Sequence, residues 1–169
     1  MKYLKISVGI FIVLAASRFI PHPPNFTSLI ALSFYIPVLF GLRYLPALLL
    51  SFITTDLIIG LHDVTFFTWG TIIFIGLGSK FFSKNITNRV FGSLLGACLF
   101  FVITNFGVWT LGSYDYTFEG FSLCYTLAIP FFIYSLISTF IFAGIIEGII
   151  KLNLINFKNL EPRIFMGVT

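Results

Sequence analysis

A few polar residues stand at the ends of apolar segments, where their chemistry could serve a ligand. Arg18 precedes a turn in which prolines flank His22, and Asp56 and His62 stand at the end of a later apolar segment. A guanidinium can hold a carboxylate or phosphate through two parallel hydrogen bonds, and a proline-rich turn positions an imidazole at low entropic cost. We predict that Arg18 pairs with Asp56 or with an anionic group of a ligand; the alternative partner is lipid phosphate.

A second polar group belongs to another apolar segment. Asn105 and Trp109 are four residues apart, which places them on one face of a helix. An amide inside a hydrophobic helix needs a partner, either on a neighbouring helix or on a bound solute, and Trp109 also fits an aromatic belt at a membrane interface. With Asn25 from the proline-rich turn, the predicted substrate-binding residues are Arg18, His22, Asn25, Asp56, His62, Asn105 and Trp109.

Motifs for catalysis and metal binding are absent from the sequence. It contains no G-x-S-x-G elbow, no H-E-x-x-H zinc motif and no glycine-rich phosphate loop. Its two histidines fall on separate loops, and Cys98 and Cys124 lack the spacing of a metal site or disulfide framework. We predict no enzymatic activity, no metal and no cofactor.

The composition indicates which kind of element must position these residues. The 169 residues are 58% hydrophobic and only 9% charged, with a mean hydropathy of +1.04. Because a soluble domain carries about 25% charged residues, the chain is predicted to be an integral membrane protein in contact with the lipid bilayer. The net charge of +4 comes from isolated Lys and Arg residues and not from a basic run, which argues against nucleic acid as a partner.

Charges and turn residues divide the chain into segments that approach the length of a membrane-spanning helix. We predict an all-α fold, a compact bundle of six transmembrane helices forming one domain over residues 1–169. The predicted spans are 4–20, 25–40, 45–61, 65–82, 90–111 and 121–150, followed by a cytoplasmic tail over 151–169. Asn25 or Thr27 is expected to cap the second span, and small-residue motifs at 92–96 and 144–148 are expected to pack closely.

The distribution of charge predicts the orientation of the bundle. Nine of the ten Lys and Arg residues fall on one side of the predicted spans, and such an excess marks the cytoplasmic face. Both termini are therefore predicted to be cytoplasmic, with Arg18 as the exception on the outer side. Both histidines and four of the six carboxylates also fall there, which favours an outward-facing pocket formed by three outer loops. Glu147 is either a snorkelling acid or a contact for a cytoplasmic-side partner.

The first span has an alternative interpretation. Lys2, Lys5, an apolar core and Ala15-Ala16-Ser17 also resemble a secretory signal peptide with a small-residue cleavage site. Cleavage would leave five spans in the same orientation. Arg18 and the proline-rich turn favour the uncleaved helix.

Four segments carry a resemblance to a known family. They are R-F-I-P-H-P-P-N-F-T at 18–27, Thr55-Asp56 with Gly60-x-His62, N-F-G-V-W at 105–109 and A-I-P-F-F at 128–132. The chain resembles a bacterial family of small membrane proteins known only as a domain of unknown function. That family is similar to the substrate-binding S components of energy-coupling-factor vitamin transporters.

The resemblance implies an inner-membrane protein of a bacterium that binds a vitamin-like solute under its outer loops and takes it up, coupled to an ATP-driven transmembrane module. S components dock that module through an A-x-x-x-A pattern on the first helix, whereas this one has Gly9 and Ala15-Ala16, so a solitary role is also open. Some similar solitary proteins handle cobalamin, which implies Cys124 and His22 near the cobalt. The alternative functions are a non-transporting structural or assembly subunit and, third, a membrane-embedded enzyme.

Overall fold

The computed structural model describes residues 2–152, which form six α-helices and two short 3₁₀ segments. The helices are α1 (Lys2–Phe19), α2 (Leu29–Phe40), α3 (Leu45–Ile59), α4 (Thr65–Gly78), α5 (Ile86–Thr110) and α6 (Phe118–Lys151). The 3₁₀ segments Leu42–Tyr44 and Ser79–Phe82 precede α3 and follow α4. The predicted all-helical, six-helix fold is confirmed, and the predicted tail lies, beyond Leu152, outside the described residues.

Four helical segments are long and apolar enough to cross a membrane, as expected of a membrane protein: Leu42–Ile59, Thr65–Phe82, Ile86–Thr110 and Phe118–Lys151. The other two helices differ from these. α1 carries three basic residues among its 18 residues. α2 has only 12 residues, a rise of about 18 Å against a hydrocarbon core of about 30 Å.

The core of the bundle is built around the short helix α2. A helix that is apolar on every side has to be buried on every side, and all residues from Leu29 to Pro37 are buried. This helix packs against α3, α4, α5 and α6, while α1 packs on α3 and α5 lies along α6. Phe34, Tyr35 and Tyr44 are the largest fully enclosed side chains of the described chain.

Side-chain caps set the starts of the two longest helices. The Asn85 side chain accepts a hydrogen bond from the amide of Asn88 at 2.8 Å, so α5 begins before the predicted start of its span at residue 90. Thr117 caps α6 in the same way, because its hydroxyl accepts from the amide of Gly120 at 3.1 Å. Each cap satisfies an amide that a helix start would otherwise leave unpaired.

Neither of the two residues predicted to cap the second span, Asn25 or Thr27, is its N-cap, which is Ser28. Asn25 has a φ of 62° and belongs to a turn in which the Phe26 amide donates to the Pro23 carbonyl at 3.0 Å. The helix begins only at Leu29, whose amide donates to the Thr27 hydroxyl at 3.4 Å. The residues of the proline-rich turn are thus free of the helix and available to border a site.

The two small-residue motifs have different surroundings. A Cβ atom on Gly92 would lie 2.6 Å from the Phe34 ring and from the Cβ of Phe82, so the expected close packing is confirmed for the α5 motif. A Cβ atom on Gly144 or Gly148 would meet nothing within 4 Å. The same expectation is therefore wrong for the α6 motif within the described residues.

The connections between helices collect at two ends of the bundle. Tyr3 at the start of α1 donates to the Arg43 carbonyl at 3.3 Å, so this start lies beside the α2–α3 turn. Together with the start of α5 and the last turns of α6, these segments form what we call the closed end. The end of α1, the α3–α4 turn and the end of α5 lie opposite and form the cavity end.

Candidate functional site

A cavity of about 460 Å³ lies between the end of α1, the α3–α4 turn and the end of α5, and all six helices contribute residues to its lining. Five of the seven predicted binding residues border it: Arg18, His22, Asn25, His62 and Asn105. Much of the remaining lining is apolar and includes five phenylalanines: Phe52, Phe100, Phe101, Phe131 and Phe132. A concave site of this size, with a few polar groups on apolar walls, is typical of small-molecule binding.

Arg18 lies in the last turn of α1 and is fixed by residues of α3. Its Nη2 atom lies 2.6 Å from Asp56 Oδ1, and its Nη1 donates to Thr55 Oγ1 at 2.7 Å. The guanidinium carbon is 4.6 Å from the centroid of the Phe52 ring, within the range of a cation–π contact. The predicted pairing of Arg18 with Asp56 is confirmed, and the guanidinium does not reach outward to lipid phosphate.

Asp56 lies behind Arg18 and is completely enclosed. Its side chain is 0% exposed, whereas that of Arg18 is 14% exposed. Trp69 on α4 donates from Nε1 to Asp56 Oδ2 at 2.7 Å. The contact at Oδ1 lacks hydrogen-bond alignment and is an ion pair. Asp56 contacts the arginine but is not among the residues that line the cavity, contrary to its prediction as a binding residue.

One N–H group of the Arg18 guanidinium has no hydrogen-bond partner in the described chain. Nη1 donates to Thr55 and, at 3.4 Å, to the Phe52 carbonyl, and Nη2 contacts Asp56. The Nε–H group makes no hydrogen bond within residues 2–152. Because a guanidinium has five donors in a fixed fork, Arg18 can bind an anionic group in the cavity while it keeps its ion pair.

His22 has both ring nitrogens close to backbone carbonyls. Nδ1 lies 2.7 Å from the Pro23 oxygen, and Nε2 lies 3.3 Å from the Arg18 oxygen. A neutral imidazole donates through one nitrogen only, so both contacts are hydrogen bonds only in the protonated ring. Neither nitrogen presents a free lone pair to the cavity, an arrangement that does not suit a metal ligand.

The Cys124 thiol is buried and approaches the Asn105 carbonyl, with a distance of 3.4 Å from Sγ. It is not among the cavity-lining residues. Within residues 2–152, no group of three or more His, Cys, Asp and Glu side chains is placed to hold a metal ion. The structure therefore does not bring Cys124 and His22 together at a cobalt site.

Asn105 and His62 both line the cavity. The Asn105 amide donates to the Phe101 carbonyl of its own helix at 2.7 Å, and no side-chain bond from it to another helix occurs in the described chain. Of its two predicted alternatives, pocket lining is thus the one the geometry favours. The His62 amide donates to Thr65 Oγ1 at 3.1 Å, which fixes the backbone of the α3–α4 turn beside the cavity.

Trp109 lies outside the cavity, contrary to its prediction as a binding residue. Its Nε1 donates to the Asp115 carbonyl at 3.0 Å, and its ring packs edge-on against Tyr116 and Phe121. Four residues advance a helix by about 400°, which turns Trp109 about 40° away from Asn105. The contacts with Asp115, Tyr116 and Phe121 orient the Trp109 side chain, and they tie the α5–α6 loop to the end of α5.

Sequence reasoning missed Trp69 and the phenylalanine walls. Trp69 had a usable signal, because residues at similar distances from the turn of a helical hairpin lie at similar heights. Asp56 lies three residues before the end of α3, and Trp69 lies four residues after the start of α4. The phenylalanines had no such signal. Among 23 phenylalanines in the chain, no spacing distinguishes those that border the cavity.

A second buried carboxylate lies at the closed end, away from the cavity. Glu147 contacts Arg89 Nε at 2.6 Å and Nη2 at 2.7 Å, and accepts from the Tyr35 hydroxyl at 2.9 Å. Glu147 is 6% exposed, so both predicted roles, snorkelling acid and open contact for a partner, are wrong. Arg89, which was counted with the cytoplasmic basic residues, is likewise bound inside the bundle.

The fold and the cavity define a small helical membrane protein with a ligand-sized cavity at one end. The chain belongs to the family described as "Family of unknown function (DUF6580)", whose model matches residues 2–160. No curated protein and no solved structure matches the chain at a significant level. The family match carries no link to the S components of energy-coupling-factor transporters.

Proposed function

We propose that the protein binds a small organic solute in the cavity and takes it up across the membrane. The observation that carries the proposal is the position of Arg18. Its guanidinium is anchored from behind by the enclosed Asp56 and borders a cavity of about 460 Å³ with its Nε–H uncommitted. Binding sites place a few oriented polar groups on apolar walls in this way.

The lining favours a solute with one anionic or strongly polar group and an apolar body. The guanidinium is the charged donor, amides and imidazoles also line the cavity, and phenylalanine rings provide the walls. The cavity volume lies in the lower part of the range of about 300–1,000 Å³ that encloses drug-sized ligands. A corrinoid exceeds such ligands, and Cys124 does not reach the cavity, so the proposal does not extend to cobalamin.

A non-transporting structural subunit is the second candidate. What favours it is that Arg18 already contacts Asp56, Thr55 and the Phe52 carbonyl, so its charge is compensated without a ligand. The two candidates differ in one consequence: only a binding protein needs the arginine for interaction with a solute.

Binding and uptake assays with radiolabelled vitamins that carry a carboxylate or phosphate test the proposal. The informative variant is Arg18→Gln/Asp56→Asn, which removes both charges and leaves no unpaired buried carboxylate. The matched control is Arg43→Gln at the closed end. We expect the wild type and the control to bind and transport at least one compound, and the double variant to lose about tenfold or more in affinity. Equal uptake by all three proteins, or by none, removes the proposal.

A further inference from the structure

One wall of the cavity is shared with a groove on the outside of the bundle. Phe101 on α5 borders the cavity and also the groove, whose other lining residues come from the first turns of α6: Phe118, Phe121, Ser122, Tyr125, Thr126 and Ile129. The groove faces outward, as the 80% exposure of Phe118 and the 47% exposure of Ile129 indicate. In a membrane, this surface meets lipid.

The wall between the two spaces consists of aromatic rings. Phe101 stacks on Phe132 with centroids 4.4 Å apart and meets Tyr125 edge-on at 5.5 Å. The Tyr125 hydroxyl donates to the Val102 carbonyl at 2.8 Å, which ties α6 to α5 beside the rings. Phe101 is the one side chain that borders both spaces, and side-chain rotations are fast compared with helix movements.

The groove has the chemistry of a site for a hydrocarbon chain. None of its lining residues is charged. Of its three hydroxyl groups, that of Thr126 donates to the Ser122 carbonyl at 2.8 Å and that of Tyr125 donates to the Val102 carbonyl at 2.8 Å, which leaves Ser122 as its one other polar side chain. The cavity, by contrast, has the guanidinium of Arg18 and the amide of Asn105. Cavity and groove together therefore offer one anion-binding end and one apolar end, separated by Phe101.

We propose that the solute is an anionic amphiphile with a single apolar chain. This inference rests on the proposed function and specifies its solute. The anionic head binds Arg18, and the chain passes Phe101 and lies in the groove, so that the molecule enters sideways from the bilayer. Cavity and groove meet at Phe101, which borders both, and a molecule with such a chain is already dissolved in the lipid that the groove faces.

Photolabelling of the full-length protein in lipid nanodiscs tests this inference. The probe is hexadecanoic acid with a diazirine near its methyl end, and mass spectrometry maps the labelled residues. We expect labels on Phe121, Tyr125 or Ile129 in the wild type. Labelling there should fall about tenfold in Arg18→Gln/Asp56→Asn and stay unchanged in Arg43→Gln, because only the former loses the head site. An alkyl phosphate with the same diazirine shows which anionic head is preferred, and labelling by either supports the proposal.

The role of Phe101 is tested by the rate of association. In a Trp109→Phe background, Trp69 is the sole tryptophan and reports binding beside Asp56. We expect Phe101→Ala to speed association of the acid several-fold, while Phe74→Ala, an exposed phenylalanine on α4, leaves it unchanged. An unchanged rate in Phe101→Ala overturns the lateral route.

Two outcomes separate this inference from the proposed function. If groove labelling is equal in the wild type and the double variant while a water-soluble carboxylate such as phenylacetate binds only with Arg18 intact, the groove holds ordinary lipid. The amphiphile inference is then wrong and the proposed function stands. If neither probe depends on Arg18, both proposals fall.

Discussion

Within residues 2–152, two arginines pair with enclosed carboxylates, one at each end of the bundle, and the two pairs differ in how completely the protein satisfies their hydrogen-bonding groups. At the closed end, Arg89 meets Glu147 through two nitrogen–oxygen contacts of 2.6 and 2.7 Å, and Tyr35 donates a further hydrogen bond. At the cavity end, the shortest contact of Arg18 with Asp56 is 2.6 Å, and Trp69 donates to the carboxylate at 2.7 Å. The Nε–H of Arg18 makes no hydrogen bond within the described residues.

This difference separates a structural pair from a pair that can serve a ligand. Desolvation of two charges is costly, and excellent geometry with extra hydrogen bonds is needed to offset it. The Glu147 cluster has that geometry, and its residues line neither the cavity nor the groove. The Arg18 pair has poorer geometry at Asp56 Oδ1, and the arginine borders open space. A binding site requires a polar group whose hydrogen-bonding capacity the protein itself does not fully satisfy.

The largest effect is expected when the closed-end pair loses one partner. Arg89→Met leaves Glu147 buried without a counter-ion, and this arrangement costs about 3–5 kcal/mol of unfolding free energy. Chemical unfolding of the detergent-solubilised protein, followed by circular dichroism, measures the loss.

The matched control for that variant removes both charges. Arg89→Met/Glu147→Met has no unpaired charge, so most of the lost stability should return. A loss below about 1 kcal/mol in the single variant would mean that Glu147 is wetted or neutralised, and the closed end would then resemble the cavity end.

The next effect concerns the packing that supports the closed end. A Cβ on Gly92 would lie 2.6 Å from the Cβ of Phe82, an atom that cannot move without its backbone. We expect Gly92→Ala to cost about 1–3 kcal/mol through overpacking. Gly144→Ala on α6 is the control, since it meets nothing and exchanges a glycine for a better helix former. Equal unfolding free energies for the two variants would contradict this difference.

A smaller effect should follow from removal of the third partner of Glu147. Tyr35→Phe deletes the hydroxyl that donates at 2.9 Å and leaves the bidentate contact with Arg89. The expected loss is about 1.5 kcal/mol, typical of a hydrogen bond to a charged group. Unfolding in the Arg89→Met/Glu147→Met background supplies the control, because there the hydroxyl has no charged partner and its removal should matter less.

The sequence predicts much of this fold, because apolar segments and turn residues determine where helices start and end. It also predicts the Arg18 pair for a physical reason. A basic residue isolated among apolar segments must find compensation, and the chain has only six carboxylates. The predicted partner, Asp56, is the observed one.

The closed-end cluster and the aromatic wall could not be predicted in the same way. Arg89 and Glu147 are 58 residues apart, and both stand in helices that are apolar on most faces, so no periodicity indicates which side turns inward. Arg89 also sits where the positive-inside pattern already accounts for a basic residue. For Phe101, its position between cavity and groove depends on the packing of α5 against α6, which the spacing of phenylalanines does not encode.

The smallest effect concerns the uncommitted donor of Arg18. Asp56→Asn removes the counter-ion, while the amide oxygen can still accept from Trp69. If the arginine serves a ligand, loss of its competing carboxylate should tighten the binding of an anionic solute, by about fivefold. Equilibrium binding of the labelled compound identified in the uptake assay measures the change. Glu147→Gln is the matched control and should leave affinity unchanged, because the closed end does not border the cavity. Weaker binding in Asp56→Asn would show instead that Asp56 holds Arg18 in the position that binds the solute. Both ion pairs would then serve to fix an arginine, and they would differ only in where they lie in the bundle.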